Sequence, residues 1–184
     1  MEHTDSLLVL GLGNLLCGDD GLGVAAVTRL AEAWEAPIGA RVLDGGTLGL
    51  SLLPYLAEVE QVLLVDAIGA DAPPGTLVRL EGDEVGPAVR DRLSPHQVGV
   101  ADLVDGLRLL GRLPDRLILL GLVPRSLELS IERTPAVEAR LGDLVAAVLD
   151  EAEQLGFPFR PKGHDDRTAA LRAGQEAGLR GLGL

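Results

Sequence analysis

The sequence predicts an α/β protein, a three-layer sandwich in which a twisted, mostly parallel sheet of about five strands carries helices on both faces. Three observations lead there. Short aliphatic runs alternate along the chain with stretches of helical apolar spacing, the pattern of strands joined by crossover helices. Hydrophobic residues make up 47% of the 184 residues but aromatics only 2%, so Leu, Val, Ala and Ile must fill the core. Aliphatic strands of that kind suit a sheet covered on both sides. Finally, the runs end in Gly-Asn, Asp-Gly-Gly-Thr or Asp, polar breaks that turn the chain at the end of a buried strand.

Taken in order, Ser6 to Leu12 (SLLVLGL) reads as the first strand. Asp19-Asp20-Gly21 opens a helix through about Trp34, with carboxylates suited to the positive end of its dipole. Ala40 to Leu43 is a second strand that ends at Asp44, and a helix from about Leu48 to Glu58 follows. Gln61 to Val65 is a third strand ending at Asp66. Pro73-Pro74-Gly75 marks a turn, and Thr76 to Leu80 alternates like a strand with one wet face. Residues 83–98 are polar and irregular, Val100 to Leu110 has helical spacing, and Arg116 to Val123 is the last strong strand. Thr134-Pro135 starts a long amphipathic helix to about Leu155, with Thr134 as N-cap. One domain is expected over residues 1–157, followed by a Gly-rich tail over 158–184 that is loosely docked from about residue 160.

The net charge of −12 excludes nucleic acid as an expected partner, because a phosphate backbone would be repelled. No uninterrupted apolar run is long enough to span a bilayer, so membrane insertion is not expected. The first residues, Met1-Glu2-His3-Thr4-Asp5, lack the basic region of a secretory signal. The single cysteine, Cys17, makes no internal disulfide. A reducing, cytoplasmic location is the expectation.

Open α/β sheets bind ligands beyond the carboxyl ends of their strands. Three acidic positions fall there: Asp20 after the first strand, Asp44 after the second and Asp66 after the third. Each has a plainer reading. Asp20 can cap the first helix, Asp66 can cap a helix or pair with Arg, and Asp44 can shape a tight turn. His96, in Ser94-Pro95-His96-Gln97, sits in a stretch too polar for a core and reads as an exposed loop histidine. Two carboxylates and an imidazole meeting on one rim would hold a divalent metal with open positions, as metal-assisted hydrolysis requires. Other chemistries fail on spacing. Leu16 breaks the G-x-G-x-x-G that begins at Gly11, and neither a P-loop, nor H-E-x-x-H, nor G-x-S-x-G occurs. Cys17 paired with His96 would need a lowered thiol pKa, which nothing in the sequence supplies.

These residues also carry a family resemblance. GLGNLLCGDDGLG (11–23), DGGTLG (44–49), LLVDAI (63–68) and SPHQVG (94–99), with weaker GLVP (121–124) and LELS (127–130), follow one another in the order seen in the hydrogenase maturation proteases. The chain resembles these enzymes over roughly residues 6–150. The resemblance implies a five-stranded sheet sandwiched by helices and an aspartyl-type endopeptidase that acts as a monomer. The substrate it implies is the precursor of a nickel-iron hydrogenase large subunit, whose C-terminal extension is removed once nickel is in place. Asp20, Asp66 and His96 map onto the family's metal-contacting positions, as both metal and catalytic residues. Asp44, with Gly45, maps onto the aspartate associated with substrate recognition. The nickel would be the ion carried by the substrate rather than a tightly held cofactor. Relatives often carry Glu where this chain has Asp20, and the shorter side chain draws the carboxylate back by one methylene. Two other classes remain: a non-proteolytic, nickel-sensing chaperone for the large subunit, and a nucleotide-binding α/β protein.

Overall fold

The computed structural model describes residues 6–86 and 95–163, those at 95–100 by their backbone alone. Its strands are β1 (Leu7–Leu12), β2 (Trp34–Glu35), β3 (Ala40–Gly46), β4 (Gln61–Ala67), β5 (Leu77–Glu81), β6 (Arg116–Leu122) and β7 (Arg160–Pro161). Its α-helices are α1 (Leu22–Ala33), α2 (Leu53–Ala57), α3 (Pro95–Leu109), α4 (Pro135–Glu138) and α5 (Leu141–Gln154). Five strands form one sheet in the order β3-β1-β4-β6-β5. All neighbours are parallel except β5, which runs antiparallel to β6 at the edge.

The aliphatic runs alternate between two cores, as side chains on a pleated strand must. Leu7, Val9, Leu63, Val65, Ile118 and Leu120 face α1 and α5. Leu8, Leu10, Leu12, Val62, Leu64 and Leu119 face α2 and α3. Both faces are therefore buried, which is why β1, β4 and β6 read as nearly continuous hydrophobic runs. Among the described residues no helix is long and apolar enough to cross a membrane.

Several elements differ from the sequence expectation. The chain through Asp19 and Asp20 makes a 3₁₀ turn (Gly18–Gly21) before α1 begins at Leu22. β3 runs on to Gly46 and β4 to Ala67, so Asp44 and Asp66 lie inside their strands rather than beyond them. Backbone pairing extends them: Asp44 stands opposite Gly11 and Asp66 opposite Gly121. His96 lies in the first turn of α3 rather than in a loop. Pro95 is the first helical residue, a position where proline's missing N–H costs nothing. The long helix expected from Thr134 is broken at Arg140, whose φ of −105° and ψ of −3° leave the helical range. Past α5, Phe157 and Phe159 pack on the α1 side of the sheet. β7 pairs antiparallel with β2, and the Lys162 N–H donates to the Ala33 carbonyl at 2.9 Å. The chain is thus docked through residue 162, and the rest of the Gly-rich tail, from 164, lies outside the described residues.

Candidate functional site

The strand order creates a crevice. From β1 the chain moves to β3 on one side, and from β4 it moves towards β6 on the other. Adjacent parallel strands whose connections diverge leave a gap outside their carboxyl ends, where α/β proteins bind ligands. Asp20 follows β1 on the 3₁₀ turn, and Asp66 is the last residue but one of β4. The turn packs against β4, so both carboxylates belong to this switch point. They are 1% and 2% exposed, which is rare for carboxylates and calls for compensating partners.

Close backbone packing builds this arrangement. Gly13 has φ +122°, and a Cβ there would lie 1.9 Å from the Asp20 carbonyl oxygen. The loop after β1 can therefore fold back over the turn only with glycine at 13. A Cβ on Gly23 would lie 2.1 Å from the Val65 carbonyl oxygen and 2.5 Å from that of Leu12. The start of α1 thus rests on the ends of both β1 and β4. The Asn14 N–H donates to Asp20 Oδ2 at 2.9 Å, and the Ala67 N–H donates to Asp66 Oδ1 at 2.7 Å. One oxygen of each carboxylate is oriented by backbone.

The neighbouring acid has a different place. Asp19 is fully buried and accepts four hydrogen bonds from one distant segment. Its Oδ2 takes the Arg125 N–H (2.9 Å), the Ser126 N–H (3.2 Å) and the Thr134 hydroxyl (2.8 Å). Its Oδ1 takes the Thr134 N–H at 2.7 Å. Thr134 precedes α4 in an extended conformation, as an N-cap should, but its hydroxyl serves Asp19 and makes no cap bond. The Asp19 N–H donates to the Ser126 carbonyl, while Gly18 and Leu16 pair with Ser130. Nothing in the sequence beside Asp19 signals this role.

Alternation along the strands decides which candidates share a face. Val62, Leu64 and Ile68 belong to the α3 side, so Asp66 points to that side, towards the helix that bears His96. Val42 belongs to the α1 side, and so does Asp44, which is exposed and lines a surface hollow with Val27, Thr28, Ala31 and Lys162. The sheet therefore separates the side chains of Asp44 and Asp66, which the sequence reading set on one rim. Gly45 has a packing reason of its own, since a Cβ there would sit 2.7 Å from Leu10 Cδ1. The side chain of His96 lies outside the described residues. Among those described, no three His, Cys, Asp or Glu side chains converge to hold an ion. Cys17 is half-buried and free.

Comparisons with known proteins identify the family and the fold. Residues 24–151 match the sequence signature of the hydrogenase maturation protease family. The chain belongs to that family. It is similar to the hydrogenase 2 maturation protease of Escherichia coli, 38% identical over 157 residues, covering 85% of this chain and 96% of that one. A hydrogenase expression/formation protein HupD from Rhodobacter capsulatus is 39% identical over 156 residues, covering 83% of this chain and 74% of the other. Among solved structures, the hydrogenase maturating endopeptidase HybD from E. coli superposes with a TM-score of 0.81, covering 85% of this chain and 97% of its own. The five-stranded sheet with helices on both faces is thus the architecture of a maturation protease.

Proposed function

We propose that this maturation protease is an endopeptidase that removes the C-terminal extension from the nickel-loaded precursor of a nickel-iron hydrogenase large subunit. Membership of the family supports the reaction class. The single observation that supports the site is the pair of buried carboxylates, Asp20 and Asp66, at the β1/β4 switch point. In this reading they and His96 meet the nickel that the substrate already holds. Oxygen and imidazole donors suit such an ion.

Hydrolysis adds water across one peptide bond. The hydroxyl joins the carbonyl carbon, and a proton reaches the departing amine. The substrate's nickel brings the scissile segment to the crevice, where a carboxylate in a water-poor setting is available to accept a proton from the attacking water. Asp44 and Gly45, at the end of β3, belong to substrate recognition in this reading, Asp44 meeting the precursor on the α1 face of the sheet rather than in the crevice. The enzyme acts as a cytoplasmic monomer, in keeping with its lone cysteine.

The test is incubation with nickel-loaded and nickel-free precursor, read by intact mass. Loss of a C-terminal fragment from the loaded form alone is expected. Stable co-purification with the precursor and no mass change would instead favour a nickel-sensing chaperone.

A further inference from the structure

We infer that Asp19 is a positioning residue for the proteolytic site, holding Asp20 in its working direction through the segment 125–134. The inference rests on the endopeptidase reading above. Asp19 and Asp20 are adjacent on a 3₁₀ turn, where successive side chains diverge by about 120°. Fixing one direction fixes the other. Asp19 points into the 125–134 segment, where its carboxylate gathers four donors from residues 106 to 115 positions further along the chain. Asp20 is thereby turned to the other side, where the Asn14 N–H receives it. The backbone bonds from Gly18 to Ser130 and from Asp19 to Ser126 tie down the same turn.

A carboxylate is needed because all four partners donate. An amide keeps the shape but offers one accepting oxygen, and its NH₂ must then confront a donor. Thr134 contributes both a hydroxyl and an N–H to Asp19, so its hydroxyl is the part of the clamp that can be removed alone.

The experiment uses the full chain and nickel-loaded precursor, with steady-state kinetics measured well below each variant's melting temperature. Asp19→Asn is expected to lower kcat about 10- to 100-fold with KM within about threefold, the signature of misplaced chemistry rather than lost binding. Thr134→Val shifts kcat in the same direction by less, and Thr134→Ser restores it. Wild-type kcat in folded Asp19→Asn overturns the inference, as does a fall that tracks only the folded fraction. Should Asp19→Asn not fold, the Thr134→Val and Thr134→Ser pair decides, and equal kcat in the two overturns it. Wild type and Asp20→Ala together separate the two readings. Failure of the wild type to shorten the loaded precursor defeats the endopeptidase reading, full processing by Asp20→Ala defeats the site that Asp19 is inferred to position, and an inactive Asp20→Ala beside a fully active Asp19→Asn defeats only the role of Asp19.

Discussion

Under the proposed function Asp20 and Asp66 carry the chemistry; burial makes them costly and backbone N–H groups give them direction. Replacing Asp66 with Asn preserves volume and removes the charge. The variant is expected to melt near the wild-type temperature and to leave the precursor unshortened, which circular dichroism and intact mass check together. Gly13→Ala acts through the backbone: its Cβ meets the Asp20 carbonyl oxygen at 1.9 Å, at a φ of +122°. A loss of about 1–3 kcal/mol in stability is expected from that strain, measured by urea unfolding, with processing impaired as well. At this scale the sequence reading named Asp20 and Asp66, and the structure buries both at the β1/β4 switch point. Strand ends followed by acids pointed to Asp20 and Asp66. In Gly-Asp-Asp-Gly, however, the two acids look alike, and only the turn and partners more than a hundred residues away distinguish Asp19 from Asp20. Asp44 was misplaced because β3 continues three residues past the bare hydrophobic run, and strand parity then turns its side chain towards α1.

Elements are joined to the sheet by ion pairs of unequal exposure. Arg79 on β5 makes a two-pronged bond to Glu151 on α5, Nε to Oε2 at 2.6 Å and Nη2 to Oε1 at 2.8 Å. The Glu151 side chain is 7% exposed and that of Arg79 40%, and Arg79 also reaches Glu81. The hydrogen bonds that Arg79 donates, to Glu151 first and then to Glu81, hold its guanidinium still more firmly protonated than usual. The asymmetry gives a prediction. Arg79→Met strands a buried carboxylate and is expected to cost about 3 kcal/mol, whereas Glu151→Gln leaves an arginine that can turn to water and costs about 1. Equal losses in urea unfolding would contradict this. The sequence anticipated the main helices and strands because their hydrophobic periods are strong. It mistook the start of α3 for a loop, since Pro and Gly near His96 outweighed the helical pattern that begins there. It also ran α4 and α5 together, because the bend at Arg140 comes from backbone geometry without Gly or Pro at the position.

The whole molecule is acidic, and its surface couples carboxylates to arginines. Arg79 and then Arg116 hold the Glu81 carboxyl below the usual glutamate range, and Arg133 and then Arg29 do the same for Glu138. Both groups ordinarily titrate at pH 4.5. Above that value they are ionised in the folded and unfolded chain alike, and their stabilisation is fully present. As pH falls below 4.5 the unfolded chain takes up protons first, so the contribution shrinks and is gone below the folded values. The double variant Glu81→Gln/Glu138→Gln is expected to lose less stability than wild type as pH falls below 4.5, by a small margin that salt reduces, since both side chains are over a third exposed. Urea midpoints across that range check it. The overall architecture was legible from composition and alternation alone. The antiparallel edge and the docking of Phe157 to Lys162 were not, since both depend on tertiary pairing rather than on local pattern.

The proposed function requires the β1/β4 rim to reach the metal carried by the precursor. Nickel K-edge X-ray absorption of loaded precursor, rapidly frozen with enzyme, tests this most directly. Wild-type enzyme is expected to add oxygen or nitrogen neighbours to the nickel, and Asp20→Ala and Asp66→Ala to add fewer. A nickel spectrum unchanged by wild-type enzyme, in a sample where the precursor is still shortened, would contradict it.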